Sequence, residues 1–362
     1  MEAPAQELVA IAEAFALPGP VTAITPLGHG NVNTTYKVDT TAAGSFVLQR
    51  LNMAVFPEPE LVMANLEVLA AHVQHKPLAG QRWEVPRVIH HRISGQPWLR
   101  ADGEFWRLIS FVGEAITVDA IATPAQATQV GRGLGLFHTL ISDLPIDQLA
   151  DTLPGFHITP AYLAAYDQAL RASKIELCGR ARWCMAFIAA RRELATVLEA
   201  AKAAGRLQLR PIHGDPKVNN VMLCVHTGMA VSLVDLDTVK PGLVHTDIGD
   251  CLRSACNPAG EEASPDDPIH FNLDLCQAVL EGYLGSARAW LSADDLDLIF
   301  DATRLISFEL GLRFFSDHLA GDIYFRCARP GHNLERALVQ FKLTESIEAQ
   351  EQAIRRIVKG LR

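Results

Sequence analysis

The spacing of apolar residues changes near residue 112, and this change restricts the folds that the chain can adopt. Before it, apolar and polar residues alternate in short runs such as Ser45 to Leu51, which is typical of strands. After Pro124 the apolar residues recur at helical spacing, except between Leu209 and Val239, where strand-like runs return. The sequence therefore predicts a strand-rich first part and a helix-rich second part.

The length and composition are those of a globular chain with two lobes. The chain has 362 residues, of which 49% are hydrophobic and 20% are charged, so it contains enough apolar material for a large core. We predict an α+β, bilobal fold. Residues 1–112 are expected to form a small antiparallel sheet that carries one helix, and residues 113–362 a larger, mainly helical lobe.

Charge and cysteine content argue against several classes of protein. The formal net charge of -9 would repel nucleic acid and anionic membrane surfaces. The seven cysteines are odd in number and contain no C-x-x-C pair, which argues against a disulfide framework or a zinc site. The first twenty residues contain no Lys or Arg, unlike a signal peptide. We predict a cytoplasmic protein that binds neither nucleic acid nor membrane; the sequence indicates nothing about its oligomeric state.

A polar loop and a hairpin stand out within the strand-like stretch. Residues 213–220 read HGDPKVNN, and residues 233–237, which follow a glycine turn, read LVDLD. Because the hairpin returns the second segment beside the first, we expect Asp215, Asn220 and Asp235 to lie close together. Two carboxylates and an amide oxygen are hard ligands, which suit Mg²⁺ shared with phosphate groups.

Phosphoryl transfer requires this set of side chains. A carboxylate orients the attacking hydroxyl and accepts its proton, while metal neutralises charge on the phosphates. We assign the first role to Asp215 and the metal to Asn220 and Asp235, with Asp237 as a further ligand through water. A positioned base typically contributes roughly 10²–10⁴ in rate. The sequence thus predicts a kinase for a small molecule.

Residues 213–220 resemble the H-x-D-x-x-x-x-N catalytic loop of the aminoglycoside phosphotransferase and choline kinase superfamily. Asp235 stands where that family keeps its second metal ligand, and residues 246–249 (TDIG) resemble its downstream Asp-Ile-Gly segment. The resemblance implies a protein-kinase-like fold, ATP and Mg²⁺, and an Asp247 that braces the catalytic loop. His213, two residues before the catalytic carboxylate, suits a second, buried brace better than a general base.

A glycine turn at residues 27–36 (LGHGNVNTTY) precedes the first long strand. Glycine lets the backbone approach a phosphate and point its amides at it, so we expect Gly28 and Gly30 to cover the nucleotide. Asn31 and Asn33 are placed to contact either a phosphate or the acceptor.

The next strand departs from the pattern of the family, which usually carries Lys or Arg over the phosphates. Gln49 occupies that position, and Arg50 points to the opposite face of the strand because side chains alternate. Two alternatives stay open: Gln49 contacts the phosphates without charge, or a bulge redirects Arg50. The resemblance also makes Phe111 and Val112 candidates for the adenine site. The partner of the strand on the following helix is open between two residues, Glu60 and Glu67.

Several segments are similar to the group of N-acetylhexosamine 1-kinases within the same superfamily, among them residues 46–52 (FVLQRLN) and 153–160 (LPGFHITP). Independently, Glu309, Arg313 and Asp317 recur every fourth residue and share one helical face. This face is expected to bind the acceptor. We assign Arg313 and Asp317 to acceptor oxygens and the aromatic ring of Tyr324 to a sugar face.

The acceptor predicted on these grounds is a small sugar, phosphorylated at its anomeric hydroxyl. One alternative is an amino-alcohol or aminoglycoside kinase, but Arg313 would repel a cationic acceptor, and only 7% of the residues are aromatic. A second alternative is a catalytically inactive nucleotide-binding protein. The absence of the expected phosphate-binding lysine favours it, and the presence of Asp215, Asn220 and Asp235 argues against it.

Overall fold

The structure is a computed structural model that describes residues 5–28, 32–42, 44–78 and 80–362. The strands of these segments are β1 Val21–Pro26, β2 Thr34–Thr40, β3 Ser45–Leu51, β4 Val88–Ile89, β5 Leu99–Ala101, β6 Glu104–Ser110, β7 Ala115–Ile116, β8 Arg210–Ile212, β9 Val221–Cys224, β10 Ala230–Leu233 and β11 Lys240–Gly242. The helices are α1 Ala5–Glu13, α2 Pro59–Gln74, α3 Pro124–Ile141, α4 Thr159–Ala172, α5 Gly179–Ala189, α6 Val197–Ala203, α7 Val244–Ala255, α8 Leu273–Ala287, α9 Ala293–Asp297, α10 Ile299–Ala320, α11 His332–Ala349 and α12 Glu351–Gly360.

The first part of the chain forms one antiparallel sheet with the strand order β1-β2-β3-β6-β4, and β5 pairs with β6. Alternate residues of its central strands, such as Leu48 and Leu108, pack with Leu8, Ile11 and Phe15 of the N-terminal region on one side of the sheet. The opposite side contributes Leu51 and Phe105 to the main core. The two faces of β3 therefore lie in different environments, as strand alternation requires.

Helix α2 crosses the second side of the sheet. It begins with a proline at its first position, which suits the first turn of a helix because no backbone donor is lost there. The four apolar residues that the sequence places on one face are all buried in the main core: Val62, Leu66, Leu69 and Val73. This packing joins the sheet to the helical part.

The helical part is built around two close helix pairs, α3 with α8 and α10 with α11. Helices α3 and α8 approach so closely that a Cβ at Gly131 would collide with the carbonyl oxygen of Val279, and one at Gly282 with that of Thr128. Glycine is therefore required where the two backbones cross. The strands β8 to β11 form two small ladders beside these helices, β10-β9-β7 and β11-β8.

Helix α7 was not predicted from the sequence, because its residues do not show the apolar periodicity of a helix. All but one of its twelve residues are buried, including charged ones such as Asp247, Asp250 and Arg253. A helix that buries charge shows no apolar stripe against a polar face. Helix α10 directly follows α9, a short helix capped by Ser292, and the two are divided at Leu298.

None of the helices in the described ranges is both long and apolar enough to cross a membrane. The lobe boundary at residue 112 stays a prediction.

Candidate active site

The loop between β8 and β9 carries Asp215 and Asn220. The Asp215 side chain is 29% exposed. The amide nitrogen of Asn220 donates to the backbone oxygen of Asp215 at 2.7 Å and to Asp215 Oδ2 at 3.3 Å. With the nitrogen used in this way, the amide oxygen of Asn220 remains for a cation. The N–H of Val234 donates to the Asn220 carbonyl at 2.9 Å, which places Asn220 beside the strand that leads to Asp235.

Asp247, fully buried on α7, holds the start of this loop. Its carboxylate accepts the backbone N–H groups of His213 at 2.6 Å and Gly214 at 2.9 Å. Burial alone would raise the pKa of Asp247, but the hydrogen bond from His138 Nε2 and the charge nearby lower it below its usual value. A carboxylate at this position thus fixes two consecutive amides of the loop.

Gly214 and His213 give the loop its shape. Gly214 has a φ of 90°, and a Cβ there would lie 2.7 Å from the carbonyl oxygen of Thr238. His213 Nε2 donates to the Val234 carbonyl at 3.0 Å, and its Nδ1 accepts the N–H of Asp215 at 3.2 Å. Burial lowers the pKa of His213, which agrees with a neutral ring. Both ring nitrogens are occupied, so neither is available to take a proton from a substrate.

Asp235 follows β10 with a left-handed backbone, at a φ of 62°. The residue is exposed at the surface, but the protein that surrounds its carboxylate and the charges of Asp237 and Asp215 raise its pKa to about 7. These carboxylates repel one another because they lie close together. The structure therefore brings Asp215, Asn220 and Asp235 together.

Within the described segments, no group of three or more His, Cys, Asp or Glu side chains is arranged to hold a metal by itself. The predicted set is of another kind, because it combines two carboxylates with an amide and shares its metal with phosphates.

Asp237, predicted as a ligand through water, is only 2% exposed and has other partners. Asn33 Nδ2 donates to its Oδ2 at 2.7 Å, and Arg107 Nη2 lies 2.5 Å from its Oδ1. Both partners come from the sheet. Asp237 thus joins the sheet to the segment that carries Asp235. Its role as a metal ligand through water stays a prediction, since its Oδ1 receives no hydrogen bond from the described residues.

Gln49 and Arg50 lie on opposite faces of β3, and the regular register with β6 leaves no bulge that would redirect Arg50. Gln49 Oε1 accepts from Arg107 Nε at 2.9 Å and from Nη2 at 2.7 Å. Arg50 pairs instead with Glu104. The helix carboxylates do not meet Gln49: Glu60 pairs with Arg100, and Glu67 with His90.

The glycine turn is described in part. Gly28 has a φ of 70°, as the predicted turn requires, whereas Gly30 and Asn31 lie outside the described residues. Asn33 uses both ends of its amide within the protein, since its Oδ1 accepts the N–H of Asn52 at 3.0 Å. It therefore acts here as a connection between the turn, β3 and Asp237.

Phe111 and Val112 follow β6, where an adenine was predicted. Val112 is buried in a small apolar cluster with Met222, Cys224 and Val231. Phe111 is half-buried, and the ammonium of Lys37 lies 5.5 Å from its ring centroid. The apolar cluster joins the end of the sheet to β9 and β10. The contact of Phe111 and Val112 with an adenine stays a prediction.

The predicted acceptor face of α10 contains three residues in different settings. Arg313 is half-buried and makes no hydrogen bond or ion pair to the described residues. Its guanidinium lies 5.1 to 5.4 Å from the ring centroids of Phe156, Tyr162 and Phe325. Burial would raise the pKa of Glu309, but the charge and hydrogen bond of His157, and to a lesser extent Thr159 and the charge of Arg313, lower it. Five donors facing aromatic rings remain available to a ligand.

Asp317 has no such freedom. Its carboxylate accepts the backbone N–H groups of Ile323 at 3.0 Å, Tyr324 at 2.8 Å and Phe325 at 2.9 Å, and Asn333 donates to it at 2.9 Å. This corrects its assignment to the acceptor, because four donors already use both oxygens. Asp317 instead fixes the loop that presents Tyr324, whose side chain is 58% exposed.

His157 connects the acceptor face to the catalytic loop. It lies 2.7 Å from Glu309 Oε1 through Nδ1 and 2.7 Å from the Gly214 carbonyl through Nε2. Both neighbours accept hydrogen bonds, so both ring nitrogens must donate and the ring is cationic. Burial lowers the pKa of His157, but Glu309 more than offsets this and raises it above the usual value.

A sequence model of the phosphotransferase enzyme family matches residues 23–288, which include the glycine turn, the catalytic loop and Asp235. The chain belongs to this family. The prediction of an ATP-dependent phosphotransferase with an alcohol group as acceptor is confirmed.

Solved structures of similar fold cover almost the whole chain. An aminoglycoside phosphotransferase from Alicyclobacillus acidocaldarius matches with a TM-score of 0.63 and 16% identity over 99% of this chain and 98% of that one. A microcompartment-associated aminopropanol kinase matches with a TM-score of 0.61 and 14% identity over 97% of this chain and 98% of that one. An amicoumacin kinase in complex with AMP-PNP, Ca²⁺ and Ami matches with a TM-score of 0.62 and 12% identity over 93% of this chain and 92% of that one. At these identities the likeness shows the fold, and it confirms the bilobal kinase-like prediction.

Two positively charged residues near the candidate site, Lys217 and Arg107, were not predicted from the sequence. Lys217 Nζ lies 3.0 Å from Asp215 Oδ2, and the carboxylates of Asp215 and Asp235 raise the pKa of Lys217. Its place inside the HGDPKVNN loop was a sufficient signal. Arg107 stands in the strand sequence FWRLI, where an arginine between apolar residues of a central strand requires a buried partner.

Proposed function

We propose that this phosphotransferase moves the terminal phosphoryl group of ATP to a hydroxyl of a neutral, oxygen-rich acceptor, a sugar of the N-acetylhexosamine type. The acceptor oxygen forms a bond to the phosphorus as the bond to the ADP oxygen breaks, and the hydroxyl proton leaves through Asp215. The products are ADP and a sugar phosphate. The observation that carries the choice of acceptor is the unpartnered guanidinium of Arg313 among aromatic rings.

The catalytic loop supports the transfer step. The amide nitrogen of Asn220 donates a hydrogen bond to Oδ2 of Asp215, which leaves Oδ1 of Asp215 to receive the proton of the acceptor hydroxyl. Lys217, 3.0 Å from the same carboxylate, stands where it can shield negative charge on the transferred group. His213, Gly214 and Asp247 keep this loop in one conformation.

Asn220 and Asp235 would hold Mg²⁺. The residues fit such an ion. The amide oxygen of Asn220 is available, and a cation offsets the burial and the charges of Asp237 and Asp215 that raise the pKa of Asp235. When bound, the metal neutralises charge on the phosphates.

The surroundings of Arg313 disfavour a cationic acceptor. An ammonium group needs an unpaired carboxylate or an open aromatic cage. Here the nearest acidic residue of the helix, Glu309, is committed to His157 and to Thr159 Oγ1, 2.5 Å away. Arg313 already occupies the aromatic wall. A sugar offers oxygen acceptors to the guanidinium and a flat face to Tyr324, so the charge balance favours a neutral acceptor.

The test is formation of phosphorylated product from ATP with a panel of hexoses, N-acetylhexosamines and amino alcohols, followed by phosphorus NMR. We expect turnover with N-acetylhexosamines and none with ethanolamine or aminopropanol. Arg313→Ala should raise the KM for the sugar about 10-fold or more without changing that for ATP, the loss of one charge-assisted contact. Arg206→Ala is the control, because that exposed side chain pairs with Asp294 and not with a residue of the acceptor face. Turnover restricted to amino alcohols would refute the assignment.

A further inference from the structure

We propose that Arg107 of β6, and not a residue of β3, supplies the positive charge that holds the nucleotide phosphates over the cleft. The inference rests on the proposed function. It explains how a kinase-like site can work with glutamine at the position where a basic residue was expected on β3.

The register of the sheet puts Arg107 in reach of the position of Gln49. The two residues are direct antiparallel partners, and paired residues point to the same face with Cβ atoms about 4.5–5.5 Å apart. Their neighbours Leu48 and Leu108 point the other way, into the cluster around α1. The Arg107 side chain therefore leaves the sheet on the side of the catalytic loop.

The guanidinium of Arg107 lies next to the segment that carries the predicted metal ligand Asp235. Its Nη2 lies 2.5 Å from Asp237 Oδ1, two residues beyond Asp235. Gln49 fixes the orientation, because its Oε1 accepts from both Nε and Nη2. Gln49 is thus a positioning residue for the cation on the neighbouring strand.

Both partners of this ion pair keep unused hydrogen-bonding capacity. Arg107 is 2% exposed, yet its Nη1 has no hydrogen-bond partner among the residues that the structure describes, and within the same residues Asp237 Oδ1 receives no hydrogen bond although Nη2 is close. A buried arginine that is there only for stability normally satisfies its donors. The open Nη1 points to an acceptor that arrives with a ligand, and phosphate oxygens match the fork of a guanidinium.

The remaining basic residues of the described strands β2 to β6 are occupied elsewhere. They pair with carboxylates near the rim of the sheet: Lys37 with Asp39, Arg50 with Glu104 and Arg100 with Glu60. Among the basic residues of these strands, Arg107 is the one that lies against Asp237, beside the predicted metal ligand Asp235.

The test moves the charge between the strands. Arg107→Gln should weaken Mg–ATP binding, measured by calorimetry, by roughly 10- to 100-fold, the value of one charge-assisted contact. Adenosine binding, measured by ligand-observed NMR, should stay unchanged. The double variant Gln49→Lys/Arg107→Gln, which returns a cation to β3, should regain at least about threefold in affinity over Arg107→Gln. Arg100→Gln, an exposed residue of β5, is the control.

The outcomes separate this inference from the proposed function. No Mg–ATP binding by the unchanged protein would overturn both. Normal ATP binding by Arg107→Gln, or equal losses for ATP and adenosine, would overturn the role of Arg107 alone. Because Arg107→Gln leaves Asp237 without its counter-charge, Arg107→Gln/Asp237→Asn is measured in parallel and must show the same selective loss.

Discussion

At the scale of a single residue, substitution of Asp215 tests the proposed proton transfer. Asp215→Asn keeps the size and hydrogen bonds of the side chain but removes the group that accepts the proton. We expect kcat to fall by at least about 10²-fold. Folding should be unaffected, because the side chain is 29% exposed and Asp247, not Asp215, secures the loop. Steady-state turnover and thermal melting measure the two effects.

The matched control for that variant is Asp266→Asn, which alters an exposed carboxylate paired with Arg180. It should leave turnover unchanged. If Asp215→Asn kept activity within about tenfold of the unchanged protein, proton transfer to this carboxylate would not contribute to the rate.

Residues that a short segment of sequence brings together could be predicted, and residues joined across long separations could not. Asp215 and Asn220 share one loop, and a hairpin returns Asp235 to it. Arg107 and Asp237 are far apart along the chain, so their pairing appears only in the fold. Asp317 was misassigned because helical spacing shows which face a side chain shares, but not that three backbone amides would occupy it.

At the scale of elements, periodicity predicted most where one face is apolar. Strand β3 has the bounds predicted for the run Ser45 to Leu51, because its apolar and polar residues alternate. Helix α7 was missed because it buries the charged residues that support the catalytic loop. Elements that serve the active site therefore carry the least regular patterns.

The crossing of α3 and α8 gives a prediction about stability. Gly282→Ala would place a methyl group against the carbonyl of Thr128, so we expect the free energy of unfolding to fall by about 1–3 kcal/mol or more. Gly285→Ala, one turn further along α8, meets no atom within 4 Å and should raise it by about 0.5–1 kcal/mol through helix propensity. Urea denaturation measures both.

The opposite signs of these two changes are the critical result. Equal effects of Gly282→Ala and Gly285→Ala would mean that α3 and α8 do not meet as closely as the structure has them. The comparison is direct because the two glycines lie on the same helix and receive the same methyl group.

At the scale of the whole molecule, the sheet and the helical part meet at the candidate site through polar contacts. Asn33 and Arg107 reach Asp237 from the sheet, and the N–H of Glu84 donates to the carbonyl of Val231 at 2.8 Å. A nucleotide bound between Val112 and the catalytic loop would touch both parts. Ligand binding should therefore stabilise the chain as one unit.

This coupling predicts the response of the melting temperature to nucleotide. Mg–ADP at 100 times its Kd should add about 2.7 kcal/mol to the free energy of unfolding, because it binds the folded state alone. EDTA should remove most of that gain, since Asn220 and Asp235 need the metal to hold the phosphates. Asp235→Asn should respond little to Mg–ADP, whereas Asp266→Asn should respond fully. A gain that persists in EDTA would mean that the nucleotide binds without the metal site, and the assignment of Asn220 and Asp235 would then be wrong.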